Sequence, residues 1–189
     1  LPVGGGAALV DALAAQAEKL GVTFFYYTTA RRLLLNDDGI VTGLFAQQQG
    51  TQAVRFFGKV VLACGGFEGN PALQSKYIGP RSVYLRPICK GAYFNRGEGI
   101  EMALDIGAAP SGDFGSYHAE PIDPRSGVSE PSVFIFPYGI LVNKAGKRFV
   151  NEAPGTVDAW YERITRRIYE QEEGLSYVIL DQRMKDIPN

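Results

Sequence analysis

The sequence predicts an α+β protein. Three observations carry that expectation. Residues 1–66 read as one helix, a β-meander and a continuous apolar strand; residues 91–189 mix helices and strands without a βαβ rhythm; and a stretch without clear period separates the two, placing a boundary near residues 70–95. The length of 189 residues suits one domain or two small ones.

Each element has its own signal. Leu9, Val10, Leu13, Ala14, Ala17 and Leu20 share one face at the three-and-four spacing of a helix, which Gly21 stops. Val22 to Tyr27 is β-branched and aromatic and predicts a strand. Leu33 to Leu35 and Ile40 to Ala46 predict two strands joined through Asn36-Asp37-Asp38-Gly39, where Asp38-Gly39 supplies the positive φ of a hairpin. After Gly50, Ala53 to Phe57 predicts the next strand. Val60 to Ala63 has no polar residue and predicts a strand buried on both faces. A short helix over Ala72 to Tyr77, a linker or crossover over 79–96, and a helix from Ile100 to Ile106 follow. Residues 110–138 are rich in Gly, Pro and Ser, and a loop of that length is either functional or poorly ordered. Gly139 to Val150 predicts a hairpin around Asn143-Lys144-Ala145-Gly146, Val157 to Tyr169 a helix with a basic end, and Leu175 to Leu180 a strand.

Composition narrows the function. With 46% hydrophobic residues, global disorder is excluded. A net charge of −1 provides no broad field for nucleic acid or an acidic membrane. No apolar run approaches the roughly 20 residues of a membrane span. Two cysteines make neither a disulfide framework nor a zinc knuckle, and a single histidine excludes the usual poly-His sites, so no metal site is expected. The chain starts at Leu1 with no signal-peptide pattern, and both ends read as cut. The expectation is a piece of a longer, cytoplasmic protein.

Four local features have chemical potential. Gly4-Gly5-Gly6 precedes a helix, but no strand comes before it and Leu9 stands where a dinucleotide fingerprint needs Gly or Ala, so that fingerprint is rejected. A flexible loop, or close backbone approach to something planar, remains. Ala63-Cys64-Gly65-Gly66 is either a strand-ending turn or a place where backbone meets a ligand. Glu98 between Gly97 and Gly99 is either an acidic residue favouring a helix N-terminus or a partner for a hydroxyl or amine. His118 reads first as a hydrogen-bonded loop histidine, with a proton donor, base or carboxylate binder as the alternative. Arg163, Arg166 and Arg167 read as a solvated helix face before an anion site.

Five stretches taken in order say more than any one of them. They are Gly4-Gly5-Gly6 with Ala8-Leu9-Val10, Leu34 to Gly43, Val60 to Asn70, Asn95 to Ala103 with Gly107-Ala108, and Gly139 to Glu152. Together, over about residues 4–152, they resemble the FAD-dependent flavoproteins of the fumarate reductase and succinate dehydrogenase type. The opening glycines and Gly65-Gly66-Phe67-Glu68 look most like the tricarballylate dehydrogenase group. The resemblance implies that residues 1–78 are the C-terminal part of an FAD-binding domain and residues 79–189 a mobile capping domain that closes over flavin and substrate. It places Gly5, Gly6, Ala30 and Arg31 on the cofactor, the last two by the adenine. It places Ala63, Cys64, Gly65, Gly66 and Glu98 near the FAD, and His118 where a histidine helps bind a substrate carboxylate. The implied activity is oxidation of a carbon–carbon single bond of a carboxylic acid such as tricarballylate, with hydride passing to flavin N5. The implied partner is a small carboxylic acid, and no motif specifies the electron acceptor.

The departures from the family pattern are specific. Cys64 replaces a Thr, and Arg96 and Glu98 replace Thr and Asp. A family Glu and Arg fall on Ser132 and Ile135, and the Arg that donates a proton in fumarate reductases falls near Thr156 or Val157. These argue against fumarate reduction itself and leave Arg125, Glu130 and Tyr138 as candidates for a different acid's site. Because the upstream dinucleotide fingerprint is not in these 189 residues, the piece alone is expected neither to retain FAD nor to turn over. The alternative expectation is a flavin-free carboxylate-binding or interaction module with a capping-domain-like fold.

Overall fold

Side chains that fold back on their own backbone set several turns of this chain. The structure, a computed structural model, describes residues 3–126, 132 and 135–186. It divides into two units, Leu1–Val61 and Leu62–Asn189, and mixes helix with sheet in both. Among the described residues, no helix is long and apolar enough to cross a membrane.

In the first unit, α1 spans Gly5–Lys19 and has no buried residue. Its apolar residues Leu9, Val10 and Leu13 are exposed. An antiparallel sheet follows in the order β1 (Thr28–Leu35), β2 (Val41–Gln48), β3 (Gln52–Phe57). The β1–β2 turn is closed by Asn36, whose Oδ1 accepts from the N–H groups of Asp38 and Ile40 at 3.1 and 2.8 Å. Gly39 takes the positive φ that the sequence anticipates, at 77°. Register slips between Ala30 and Arg32, so Arg31 is the extra residue of a bulge.

Two predicted strands of this region do not form. At Val22–Tyr27 the chain is irregular and then turns, and β1 starts only at Thr28. Pairing between β1 and β2 begins at Thr28 and Gln48; beyond it a single bond, Gln49 N–H to Tyr27 O at 2.8 Å, closes the ladder before β2 turns away at Gln49 and Gly50, so residues 22–26 have no described strand to pair with. Val60–Ala63 is likewise not a strand, and not buried: Val61 is 86% and Leu62 42% exposed. Its apolar side chains suit an inner strand, but no described segment pairs with it, and a lone extended segment satisfies no backbone groups through a sheet.

The second unit opens with α2 (Pro71–Tyr77), capped by Asn70, whose Oδ1 accepts from Ala72 and Leu73 N–H, with Pro71 in the first turn. The stretch predicted as a linker holds two single 3₁₀ turns, Pro80–Tyr84 and Lys90–Phe94. Arg81 from the first of these donates to the carbonyls of Tyr169 and Gln171. Then come α3 (Glu98–Asp105), β4 (Ile140–Val142), α4 (Val157–Tyr169) and β5 (Tyr177–Ile179), with β4 and β5 antiparallel. The core is Phe136, Leu141 and Ile164, with Phe149, Val157, Tyr161 and Val178 packed around it.

The predicted hairpin over Gly139–Val150 is reduced to its turn and a single bridge, Val142 to Arg148. The next N–H along β4, that of Leu141, donates at 2.6 Å to the carboxylate of Glu152 instead of to a returning strand. Glu152 is only 4% exposed and also accepts from Arg148. Burial raises the pKa of this carboxyl; the Arg148 guanidinium and the Leu141 N–H outweigh that and hold it below the usual carboxylate value.

Candidate functional site

The bend after the unpaired Val60–Ala63 segment is the most constrained backbone of the second unit. Two loops, 64–70 and 92–97, are buckled together. Gly69 N–H donates to Asn95 O at 2.8 Å, Arg96 donates to Gly69 O at 3.0 Å, and Asn70 Nδ2 donates to Arg96 O at 2.8 Å. Asn95 Nδ2 also donates to Glu68 Oε1 at 2.6 Å, and Gln74, which is buried, donates to Glu68 O at 2.8 Å.

Inside this clasp Gly65 holds φ at 74°, and a Cβ there would lie 3.0 Å from the Asn95 side chain. The positive φ favours glycine, and a side chain there would crowd Asn95. On the other side the bend is open: Ala63, Cys64 and Gly65 are exposed and Gly66 is half-buried. A shallow cleft of about 260 Å³ lies there, lined by Leu62, Cys64, Gly65, Gly99, Ile100 and Phe114 among others. Cys64 reaches the first turn of α3, where a Cβ on Gly99 would come within 2.2 Å of its sulfur. Glu98, half-buried, begins that helix. Cys64, Gly65 and the start of α3 are thus brought together.

The other cofactor candidates lie in the first unit. Gly5 and Gly6 open α1, and a side chain at either would meet nothing within 4 Å. Ala30 and Arg31 sit at the β1 bulge, with the Arg31 guanidinium donating to Gln47 Oε1 at 3.1 and 3.2 Å.

His118 lies in the long irregular stretch, which is ordered by side chains. Asp113 accepts from Ser116 Oγ and Gly115 N–H at 2.8 Å, and these bonds hold its carboxyl below the usual range. Arg166 of α4 is not a solvated cation as the sequence suggested: it donates to Tyr117 O and lies 3.9 Å from the centre of the Tyr117 ring. Tyr117 meets Tyr169 edge to face, and burial first, then Tyr117, pushes the Tyr169 phenol up. His118 Nε2 is 2.9 Å from Tyr161 Oη and 3.9 Å from Glu120 Oε1. Arg125 is paired with Asp123 at 3.0 Å and is exposed, Tyr138 is exposed, and Glu130 lies outside the described residues.

Sequence reasoning missed Glu68, Asn95 and Tyr161 as organising residues. Glu68 and Asn95 stood inside singled-out stretches but carried no spacing signal, because the bond between them spans 27 residues. Tyr161 looked like any aromatic on a helix.

The cleft can take a flat, mostly apolar ring against exposed glycine backbone. It is somewhat smaller than the roughly 300–1,000 Å³ of small-molecule sites, so it fits part of a dinucleotide rather than all of one. The residues present fit an FAD contact on those terms.

Residues 2–184 match the family model described as FAD binding domain. Vinyl phenol reductase of Lactiplantibacillus plantarum is 33% identical over 159 residues, covering 79% of this chain and 32% of that protein. The 3-oxosteroid 1-dehydrogenase of Mycobacterium tuberculosis is 30% identical over 203 residues, covering 97% and 34%. The open conformation of a flavocytochrome c3 fumarate reductase superposes with a TM-score of 0.73 at 23% identity, over 94% of this chain and 30% of that one, a likeness of fold alone. The chain spans about a third of the length of the curated relatives it matches. FAD is the cofactor of this family. By the match over nearly its whole length, the chain belongs to the FAD binding domain family.

Proposed function

We propose that this chain is part of an FAD-dependent oxidoreductase that acts on the CH–CH bond of a small carboxylic acid, with tricarballylate as the first substrate to test. The observation that supports the reading best is the bend at Cys64–Gly66, fixed from behind by the clasp and bare in front. In this reading residues 1–78 belong to the FAD-binding domain and residues 79–189 to the capping domain. Gly5, Gly6, Ala30 and Arg31 contact the cofactor, the last two by the adenine. Ala63, Cys64, Gly65 and Gly66 lie along the flavin half, and Glu98 accepts from a hydroxyl or amine there. When bound, FAD supplies the redox chemistry, with hydride exchanged at its N5.

The chain's own residues bind, orient and shield. The bend presents backbone where a side chain would block a ring. Leu62, Ile100 and Phe114 keep water from one face of the cleft. His118 offers an imidazole N–H to a substrate carboxylate.

The full-length protein is expected to purify with flavin absorbance and to be bleached by tricarballylate in the absence of another reductant. A correctly folded, colourless full-length protein would overturn the reading. If such a protein still bound carboxylates, the flavin-free module would replace it.

A further inference from the structure

We infer that Tyr161 is the positioning residue for His118: through its hydroxyl, α4 dictates which imidazole nitrogen carries the proton offered to a substrate carboxylate. The inference rests on the carboxylate-binding role proposed above for His118.

The geometry is specific. Tyr161 Oη and His118 Nε2 are 2.9 Å apart, and the rings meet edge to face at 85° with centroids 5.5 Å apart. The Tyr161 ring packs against the buried core, so its hydroxyl projects from a fixed base. The residue before the histidine is held by the same helix. Arg166 donates to Tyr117 O and covers the Tyr117 ring, while Glu162 accepts from Arg166 Nε at 2.7 Å. Yet the imidazole itself is presented outward, with a side chain 62% exposed. Among the described residues, nothing hydrogen-bonds its Nδ1. The charged groups around it are Glu120 on its own segment and the Glu162–Arg166 pair on α4.

A phenol hydroxyl both donates and accepts, and that property is what the site uses. When the imidazole is neutral, Tyr161 O–H donates to Nε2 and the ring proton is kept on Nδ1. When the imidazole is protonated, Nε2–H donates to the Tyr161 oxygen and Nδ1 again carries a proton. In both states the free nitrogen faces a carboxylate as a donor. Without the hydroxyl, a neutral ring is free to hold its proton on Nε2, and the Nδ1 lone pair then repels a carboxylate.

The test uses the full-length, FAD-loaded protein without an added electron acceptor, with tricarballylate affinity read from the concentration dependence of the rate at which it bleaches the flavin. Three variants are compared with wild type: Tyr161→Phe, His118→Ala and the double substitution. Tyr161→Phe is expected to weaken binding about tenfold near pH 8 and about twofold or less near pH 5, because a ring that carries both protons donates from either nitrogen. FAD content should not change. The double variant should bind no more weakly than His118→Ala alone, because the tyrosine acts through the histidine. Equal losses at both pH values, no loss in Tyr161→Phe, or losses that multiply in the double variant would overturn the inference. If His118→Ala binds like wild type, the carboxylate role of His118 falls and takes this inference with it. If His118→Ala is weakened and Tyr161→Phe is not, the inference alone falls.

Discussion

Two turns of this molecule are built alike and lead to different structures. Asn36 and Asn143 each accept with Oδ1 from the N–H groups two and four residues on, and each is followed by a left-handed glycine, Gly39 or Gly146. Each also exchanges a backbone bond with the residue four positions later. The first turn opens into β1 and β2, paired from Leu35 and Val41 to Thr28 and Gln48. The second opens into one bridge, after which β4 pairs with β5 and its outer N–H turns to Glu152. Turn chemistry is therefore local, but strand formation depends on what lies beside the turn. In the first unit the ladder itself carries the structure, and Ala46 is its buried hydrophobic residue among those described; in the second unit a buried core does.

The largest way to break this contrast is to open the core. Ile164 is fully buried at the centre of the second unit. Ile164→Ala should cost about 2–5 kcal/mol by lost transfer energy and a residual cavity. In urea unfolding, the transition of the second unit should move to lower denaturant and the ladder of the first unit should keep its midpoint. A common shift would make the two units one cooperative body and end the contrast.

A smaller effect is expected at the carboxylate that stands in for a strand. Glu152→Ala leaves the Leu141 N–H without its acceptor and should cost about 1–3 kcal/mol. Because the folded state holds this carboxyl below the ordinary 4.5, its contribution is complete above about that pH and is lost as pH falls through the lower folded value. Acid unfolding monitored by circular dichroism should therefore be less steep below about pH 4.5 in Glu152→Gln than in wild type. An unchanged acid limb would mean that the carboxylate's charge contributes nothing there.

The same contrast explains what could be read in the sequence. Helix α4 runs from Val157 to Tyr169 as predicted, and the Asn36–Gly39 and Asn143–Gly146 turns follow from side chains two to four residues away. What failed needed a distant partner. Val60–Ala63 has the composition of an inner strand but no described segment pairs with it, and the apolar face of α1 was foreseen but none of its residues is buried. At the bend, the glycines were legible because residue type alone singles them out. The bonds that hold them, Glu68 to Asn95 and His118 to Tyr161, span 27 and 43 residues, and no local spacing encodes either.

The smallest effect is the most direct probe of the two turns. Asn36→Ala and Asn143→Ala each remove a side-chain acceptor from two exposed N–H groups, and each should cost about 0.5–1.5 kcal/mol. The totals should be similar while the consequences differ. In Asn36→Ala, the seven paired positions of β1 and β2 hold the register, so exchange protection at Leu34 and Gly43 should persist. In Asn143→Ala, the bridge to Arg148 stands alone and the bond from Asn143 Nδ2 to Gln171 Oε1 at 3.2 Å is lost too. Protection should then vanish at the backbone N–H of residue 143, which donates to Lys147 O, and at Lys147, while Leu141, held by Glu152, stays protected. Equal protection losses around both turns would mean that the neighbours do not decide what a turn becomes, and the ladder of the first unit would then owe its order to the Asn36 side chain.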